Sequence, residues 1–114
     1  MPADCLFCRI ADGGIPAARL HEDGLCVAIA DIAPKAPTHL LVLPKQHVGG
    51  APEIGADREA LVGHLVRVAA DLARAKGLEP DGYRIVINSG AHGGQTVFHL
   101  HVHLLGGRPL GDMG

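Results

Sequence analysis

The sequence predicts an α+β domain with a largely antiparallel sheet of at most five strands. Three observations predict it: one long segment has helical hydrophobic periodicity, several short apolar segments alternate with turn-forming residues, and no β-α-β spacing repeats. The chain has 114 residues, 47% of them hydrophobic, and contains 16 glycines and 8 prolines. These values are typical of one globular domain with many turns, which we expect to span residues 1–114.

The first half of the chain contains two predicted strands. Residues 25–32 are apolar and partly β-branched, and they follow a turn-like Asp-Gly pair. Residues 39–43 form the second apolar segment. Pro34 and Pro37 lie between the two, and because proline lacks a backbone donor they end the first strand before the second begins.

The long helix is predicted over residues 57–76, where apolar residues recur every three or four positions. This stripe consists of Leu61, Leu65, Val68 and Leu72, widened by Val62, Val66 and Ala69. Asp57 is the predicted N-cap, because its side chain can accept from the unpaired amides of the first turn. Gly77 lies where a left-handed C-terminal cap is needed.

The second half contains two more predicted strands, residues 83–88 and 97–105, separated by a glycine-containing loop at 89–94. Residues 93–96, at the end of this loop, permit two interpretations. Glycines there could let backbone amides approach an anion, with hydrogen bonds from the following side chains. The segment could equally be an ordinary hairpin turn.

The run from 99 to 105 carries the clearest pattern. Because side chains alternate across a strand, His99, His101 and His103 project from one face, about 7 Å apart. The residues that face the other way, expected to pack under the helix, are Leu100, Val102 and Leu104. Three interpretations are open from the residues alone: a solvated strand face, a metal cluster of all three imidazoles, and catalysis in which a neutral imidazole attacks phosphorus.

Charge and terminal composition exclude several classes of protein. The formal net charge is −2 and no lysine or arginine cluster is present, which argues against a duplex nucleic-acid binder but leaves a single nucleotide as a ligand. The N-terminus lacks the pattern of a signal peptide, and no window approaches a membrane span. We therefore expect a cytoplasmic protein without a membrane partner.

Three cysteines, an odd number, make a disulfide framework improbable. Cys5 and Cys8 have the spacing of a zinc knuckle, although two reduced cysteines in a short N-terminal helix would have the same spacing. Cys26 lies in an apolar segment and is interpreted as a small core residue. The remaining histidines outside the motifs are expected to be surface or incidental residues: His21, His64 and His92.

Several further segments accompany the run His99-Leu100-His101-Val102-His103-Leu104-Leu105. They are Cys5-Leu6-Phe7-Cys8-Arg9-Ile10, Asp31-Ile32-Ala33-Pro34-Lys35-Ala36-Pro37-Thr38-His39, Leu43-Pro44-Lys45-Gln46-His47, and Gly93-Gly94-Gln95-Thr96 with Asn88 and Gly106-Gly107-Arg108. Together they resemble the histidine triad (HIT) family, in particular its Hint-like purine nucleoside phosphoramidase branch. The resemblance covers nearly the whole chain and implies a HIT-like fold, a largely antiparallel five-stranded sheet with one long helix and a short N-terminal helix.

The resemblance also implies a hydrolase that cleaves purine nucleoside 5'-phosphoramidates or adenylylated amines. By this resemblance His101 attacks the α-phosphorus, forming a covalent nucleotidyl-histidine that water hydrolyses, while a backbone carbonyl fixes its tautomer. The other implied catalytic residues are His103, where transferases of the superfamily carry glutamine, together with His99 and His39.

The implied nucleotide contacts are Asp31 for the ribose, Asn88, Gly94, Gln95 and Thr96 for the phosphate, and Phe7, Ile10 and Ile32 for the purine. From composition alone, these three apolar residues could equally well lie in the hydrophobic core.

Family members with the cysteine pair can bind structural zinc, which here implies the ligands Cys5, Cys8, His47 and His99. The chemistry itself does not require this zinc. A homodimer is implied as well. The tail 109–114 lacks the tryptophan-bearing end of the best-known branch members, so the choice of leaving group is open. The alternatives are a diadenosine polyphosphate hydrolase, a nucleotidyl transferase, a nonenzymatic nucleotide-binding regulatory module and a metal carrier that uses the whole histidine row.

Overall fold

An antiparallel sheet with a helix on each face forms the structure, a computed structural model that describes residues 5–114. The five strands lie in the order β1-β2-β3-β5-β4, and all neighbouring pairs are antiparallel. The elements are α1 (Leu6–Ala11), β1 (Arg19–Glu22), β2 (Cys26–Ala30), β3 (Thr38–Pro44), α2 (Glu59–Ala75), β4 (Tyr83–Val86) and β5 (Val102–Gly106), with short 3-10 turns at Ala51–Glu53 and Ala56–Arg58. The predicted α+β class, the long helix and the short N-terminal helix are confirmed.

The adjacent strands β2 and β3 are apolar on both faces because each face is covered by a helix. Ala28 of β2 and Val42 of β3 pack with Leu65 of α2 on one side. Val27 and Leu43, one position along each strand, pack with the residues of α1 on the other side. This two-sided burial explains why β2 and β3 are continuous apolar segments instead of alternating ones.

β1 is absent from the predicted strands. Its four residues, Arg-Leu-His-Glu, include three polar ones, and burial alternates between half-buried and exposed along it. An edge strand of this kind carries little hydrophobic signal, and its pairing with β2 supplies the structure.

β5 is shorter than predicted. A strand was expected over 97–105, but the regular strand begins only at Val102, and residues 97–101 are irregular. The register pairs Val42 with Val102, so continuing the ladder would reach Pro44, which has no N–H to donate. The amide of Leu100 instead donates to the carbonyl of Val48 at 2.6 Å. The other three predicted strands coincide with β2, β3 and β4 apart from their terminal residues.

The apolar stripe of α2 packs on the sheet as predicted, but its N-terminus differs from the prediction. Asp57 lies in the preceding 3-10 turn, and the N-cap position is Arg58, which makes no side-chain capping bond. The prediction of an Asp57 cap is therefore wrong, because the 3-10 turn occupies that stretch of backbone. Gly77 has φ +73° and terminates the helix in the left-handed conformation, as predicted. Neither helix within residues 5–114 has the length and apolarity needed to cross a membrane.

Candidate functional site

The three histidines of the row differ in burial. His99 is 0% exposed and His101 is 8% exposed, whereas His103, inside β5, is partly exposed. The ring of Phe7 from α1 packs edge-on against both His99 and His101, with centroid distances of 6.1 and 5.0 Å. The α1 side of the sheet therefore covers the first two imidazoles, and the interpretation as a solvated strand face is wrong for them.

His101 is held in a single tautomer by the backbone. Its Nδ1 lies 2.7 Å from the carbonyl oxygen of His99. Because an oxygen acceptor faces Nδ1, that nitrogen must carry the proton and donate, which leaves Nε2 with a free lone pair. This arrangement is the one that a nucleophilic imidazole requires, since the attacking nitrogen has to be unprotonated.

His39 and His103 form a hydrogen-bonded pair whose tautomers follow from the backbone. The amide of Lys35 donates to His39 Nδ1 at 3.0 Å, so the proton of a neutral His39 is on Nε2. His39 Nε2 then donates to His103 Nδ1 at 2.9 Å, with Asp31 Oδ2 3.4 Å from the same nitrogen. The proton of a neutral His103 is consequently on Nε2. The ring of His103 lies 4.9 Å from that of His101, so a donor nitrogen and a nucleophilic nitrogen belong to adjacent rings.

The environment keeps both members of this pair uncharged near neutral pH. Burial, together with the neighbouring imidazoles His101 and His39, lowers the pKa of His103 from 6.5 to about 4. Burial also lowers the pKa of His39, although the carboxylate of Asp31 partly offsets the effect. A charged phosphate beside these rings would favour their protonated forms, so ligand binding can change their charge.

This lowered pKa predicts a dependence of stability on pH. Below pH 6.5 the unfolded chain protonates His103, but the folded chain does not do so until about pH 4. The folded state therefore loses stability as the pH falls through this window. Acidification from pH 7 to 4 should lower the free energy of unfolding of His103→Gln by about 2 kcal/mol less than it lowers that of the unsubstituted chain. This value is discounted for solvent screening. Urea unfolding at several pH values between 7 and 4 measures it.

The exposed histidine His92 provides the control for this prediction. His92→Gln should show the same acid-induced loss of stability as the unsubstituted chain. Equal losses in His103→Gln and His92→Gln would contradict the assignment.

A cavity of about 770 Å³ opens beside the pair. The predicted site residues that line it are Asp31, His39, Asn88, Gly94, Thr96 and His103. His101 is not among the residues that line this cavity; its ring lies 4.9 Å from that of His103, which does line it. Sequence reasoning missed the other lining residues, among them the polar Lys35 and Arg84 and the C-terminal Met113. The guanidinium of Arg84 donates to the carbonyl of Gly111 at 2.8 Å, which brings the C-terminal tail to this cavity.

Four predicted nucleotide contacts lie elsewhere. Phe7 and Ile10, both in α1, are buried against the sheet. They therefore lie in the hydrophobic core, the alternative that composition alone had left open. The side chain of Ile32 is fully exposed to solvent. Gln95 is buried and its side chain bonds the backbone of Gly90, of residue 49 and of residue 97. In this structure Gln95 therefore shapes the loop.

The glycine loop is held by its own hydrogen bonds. The amides of Gly93 and Gly94 donate to the carbonyls of Gly90 and Ala91, and the amide of Gln95 also donates to Gly90. Because these amides already have partners within the loop, the structure favours the interpretation of residues 93–96 as part of a turn over an anion site built from these amides. The donors that remain at the cavity belong to side chains, among them those of Thr96 and Lys35.

The N-terminal cysteines converge with two histidines at the buried end of the row. The donor atoms of Cys5, Cys8, His47 and His99 all lie within 4.8 Å of one another. The Nδ1 of His99 is 3.4 Å from each sulfur, and the Nδ1 of His47 is 3.1 Å from Cys8 Sγ and 3.3 Å from His99 Nδ1. Zinc bonds of about 2.0–2.3 Å give tetrahedral edges of roughly 3.3–3.7 Å, so this set fits the ion closely.

The orientation of His99 also fits a metal ligand. Its Nε2 lies 2.8 Å from the carbonyl of Pro44, to which it donates, and its Nδ1 lone pair therefore points toward the sulfurs. Burial and the neighbouring Cys5 raise the pKa of the Cys8 thiol to about 11, so a metal ion would have to displace its proton. His101 and His103 face other partners. Among the described residues no metal-ligand cluster contains all three histidines of the row, so the three-histidine interpretation has no support.

Comparisons with known proteins show which family and which structures the chain is similar to. The family model of the HIT domain matches residues 12–110. Purine nucleoside phosphoramidase of Escherichia coli is 42% identical over 113 residues, covering 99% of this chain and 95% of that one. A HIT family hydrolase from Legionella pneumophila superposes with a TM-score of 0.91 at 47% identity, covering 93% of this chain and 95% of that one. A zinc-bound histidine triad family protein from Mycobacterium smegmatis has a TM-score of 0.80 at 36% identity, covering 96% and 78%.

Proposed function

The chain belongs to the HIT domain family, and from that premise we propose that it hydrolyses purine nucleoside 5'-phosphoramidates or adenylylated amines through a nucleotidyl-histidine intermediate. The similarity of the chain to a HIT family hydrolase and to a purine nucleoside phosphoramidase supports the general class, a hydrolase. The bond that is cleaved and the covalent intermediate are what the family resemblance implies, and the geometry of His101 and His103 supports them.

One observation carries the proposal, the pairing of two adjacent rings with opposite roles. His101 has a free lone pair on Nε2, and the neighbouring ring of His103 carries its proton on Nε2. A nucleophile and a proton donor at neighbouring positions are what the cleavage of a phosphorus–nitrogen bond requires. The lone pair attacks phosphorus, and the departing nitrogen needs a proton in order to leave as an amine.

In the first step His101 Nε2 bonds to the α-phosphorus and the P–N bond breaks. Binding of the anionic substrate favours uptake of one proton from solvent by His103, which then gives its Nε2 proton to the departing nitrogen, so that a neutral amine leaves and His103 becomes neutral. The carbonyl of His99, which accepts from His101 Nδ1–H, stabilises the positive charge on the phosphorylated imidazole.

In the second step water attacks phosphorus and the P–N bond to His101 breaks. His103, now neutral, takes the proton of the water, which is the function that the glutamine of a transferase could not perform. The products are the mononucleotide and the amine; His101 is neutral again, and His103 releases its extra proton to solvent when the mononucleotide leaves. His39 orients His103 through the hydrogen bond to Nδ1.

The remaining residues of the cavity bind and orient the substrate in this proposal. Asp31 accepts from the ribose hydroxyls, while Asn88 and Thr96 donate to the phosphate oxygens. The ammonium group of Lys35, which also lines the cavity, adds positive charge near the phosphate. Zinc, held by Cys5, Cys8 and the two histidines described above, would supply structural cross-linking of α1 to the sheet.

Purified protein tests the proposal with adenosine 5'-phosphoramidate. We expect release of AMP and ammonia, at a rate unchanged by a chelator during a short assay, because no metal takes part in the reaction. A diadenosine polyphosphate should be cleaved at least about tenfold more slowly. Binding of AMP without turnover of either substrate would instead identify a nucleotide-binding module, and faster cleavage of the polyphosphate would identify a different branch of the family.

We also propose a homodimer, which the family resemblance implies. β4 is an edge strand of the sheet, and the side chain of Phe98 is 60% exposed, so apolar surface is available for association. Sedimentation equilibrium should give twice the mass of one chain, and a monomer at micromolar concentration would contradict this proposal.

A further inference from the structure

A second group of metal-ligating side chains lies outside the histidine row. His21 is in β1, Asp23 is in the turn that follows, Cys26 is the first residue of β2, and His64 is on α2. His21 and His64 were expected to be incidental surface residues. The structure instead brings both imidazoles to one carboxylate oxygen, Asp23 Oδ2, at 2.7 Å each.

The backbone orients this carboxylate. Asp23 Oδ1 accepts from the amides of Leu25 and Cys26 at 2.8 and 2.9 Å, which fixes the carboxylate plane and turns Oδ2 toward the two imidazoles. A ligand oxygen whose partner oxygen is held by amides is the arrangement that supporting hydrogen bonds provide in metal sites.

The third type of donor is a thiol. Cys26 Sγ lies 3.6 Å from Asp23 Oδ2, and the donor atoms of His21, Asp23 and Cys26 all lie within 4.8 Å of one another. Two imidazoles, a carboxylate and a thiolate are all ligands that zinc accepts. The sulfur–oxygen distance already equals a tetrahedral edge around zinc, whereas each nitrogen–oxygen distance would have to widen by about 0.6 Å to reach one. His64 is close to Asp23 but lies outside the group of donors within 4.8 Å of one another, so its imidazole would have to move closer to the other ligands when an ion binds.

An ion can reach the group from solvent. The side chains of His21, Asp23 and His64 are 34%, 28% and 22% exposed, while Cys26 is fully buried at the inner end. In the described part of the chain the other ring nitrogen of each histidine has no protein partner, so the proton on Nε2 can move to Nδ1 and free Nε2 for a metal.

We propose that His21, Asp23, Cys26 and His64 form a second zinc site, distinct from the cysteine pair near the N-terminus. Coordination releases one proton to solvent, that of the Cys26 thiol, while the imidazoles remain neutral. The ion ties the β1–β2 hairpin to α2, which packs on the face of the sheet away from the catalytic row.

Titration of the reduced, metal-free protein with Co²⁺, followed by visible absorption and equilibrium dialysis, tests this site. The unsubstituted chain should bind two ions, and His64→Gln should weaken one of the two binding events at least tenfold. Asp23→Asn should do the same while it retains Oδ1 for the two amides and hence the turn. His92→Gln, the matched control, should still bind two.

The Cys8 centre is separated from this one by a further pair of variants. Cys8→Ala should bind one ion, and the double variant Cys8→Ala with His64→Gln should bind that ion at least about tenfold more weakly. If Cys8→Ala binds no Co²⁺, or if His64→Gln and Asp23→Asn bind as much as the unsubstituted chain, the second site is overturned and the four side chains are only a hydrogen-bonded clamp. Thermal unfolding of the metal-free variants, followed by circular dichroism, verifies that each one is folded.

Discussion

His101→Asn is expected to lower kcat for adenosine 5'-phosphoramidate by at least about a thousandfold, because it removes the only nitrogen that the proposal allows to attack phosphorus. Asparagine can still donate to the carbonyl of His99, so the backbone around the row should be preserved. The affinity for AMP, measured by calorimetry, should change by less than about fivefold. A variant with more than about a tenth of the original kcat would contradict the assignment of the nucleophile.

A second substitution at the same position distinguishes lost chemistry from a damaged structure. His101→Gly leaves space beside the rings of Phe7 and His103 that free imidazole can enter. Added imidazole should restore part of the activity of the glycine variant and should have no effect on His101→Asn, in which the side chain fills this space. His92→Asn, a substitution in an exposed loop, is the matched control and should retain full activity.

Cys8→Ala is expected to produce the largest change in stability. Cys8 is buried and its sulfur lies close to both histidines of the N-terminal cluster. Metal bound at a thousand times its dissociation constant stabilises a fold by about 4 kcal/mol. For a chain of this length that corresponds to a decrease in Tm on the order of 10 °C when the ion cannot bind. Differential scanning calorimetry of the zinc-loaded proteins measures it.

The contribution of the metal has to be separated from the small cavity that loss of the sulfur creates. Removing metal should therefore lower the Tm of the unsubstituted protein by more than it lowers the Tm of Cys8→Ala. Elemental analysis should find one zinc fewer per chain in the variant. Equal zinc contents, with equal effects of metal removal on Tm, would show that the cluster of Cys5, Cys8, His47 and His99 holds no ion.

The parts of the fold that hydrophobic patterning could predict are those in which burial determines the residue type. The apolar stripe of α2 and the apolar segments of β2 and β3 are of this kind. β1 is not, because its polar residues gain their strand conformation from pairing with β2. The irregular conformation of residues 97–101 could not be predicted from patterning either. The side chains still alternate there, but the strand ladder is absent because Pro44 interrupts it.

The candidate site depends on register, which a single sequence does not reveal. His39 lies opposite Leu105 and His103 lies opposite Leu41, so the two histidines are diagonal neighbours on one face and can form their hydrogen bond. The residues alone indicated the alternation of the row and the spacing of the cysteine pair. Only the family resemblance connected the cysteines with His47 and His99, because their convergence requires the packing of α1 on the sheet.

No pattern in the sequence indicated that Arg84 and Met113 would lie at the cavity. Both line the cavity because the C-terminal tail folds back to β4, where the guanidinium holds the carbonyl of Gly111. Neither the position of the tail nor the identity of its contacts follows from a segment rich in glycine and proline.

The stereochemical course at phosphorus tests the central claim, that His101 forms a covalent intermediate, most directly and without any substitution. A nucleoside 5'-phosphoramidothioate of one configuration at phosphorus, hydrolysed in ¹⁸O-labelled water, gives a chiral product that can be analysed by ³¹P NMR. Each in-line displacement inverts phosphorus, so attack by His101 followed by attack by water predicts overall retention. Overall inversion would mean that water attacks the substrate in a single step, and the histidine would then not be the nucleophile.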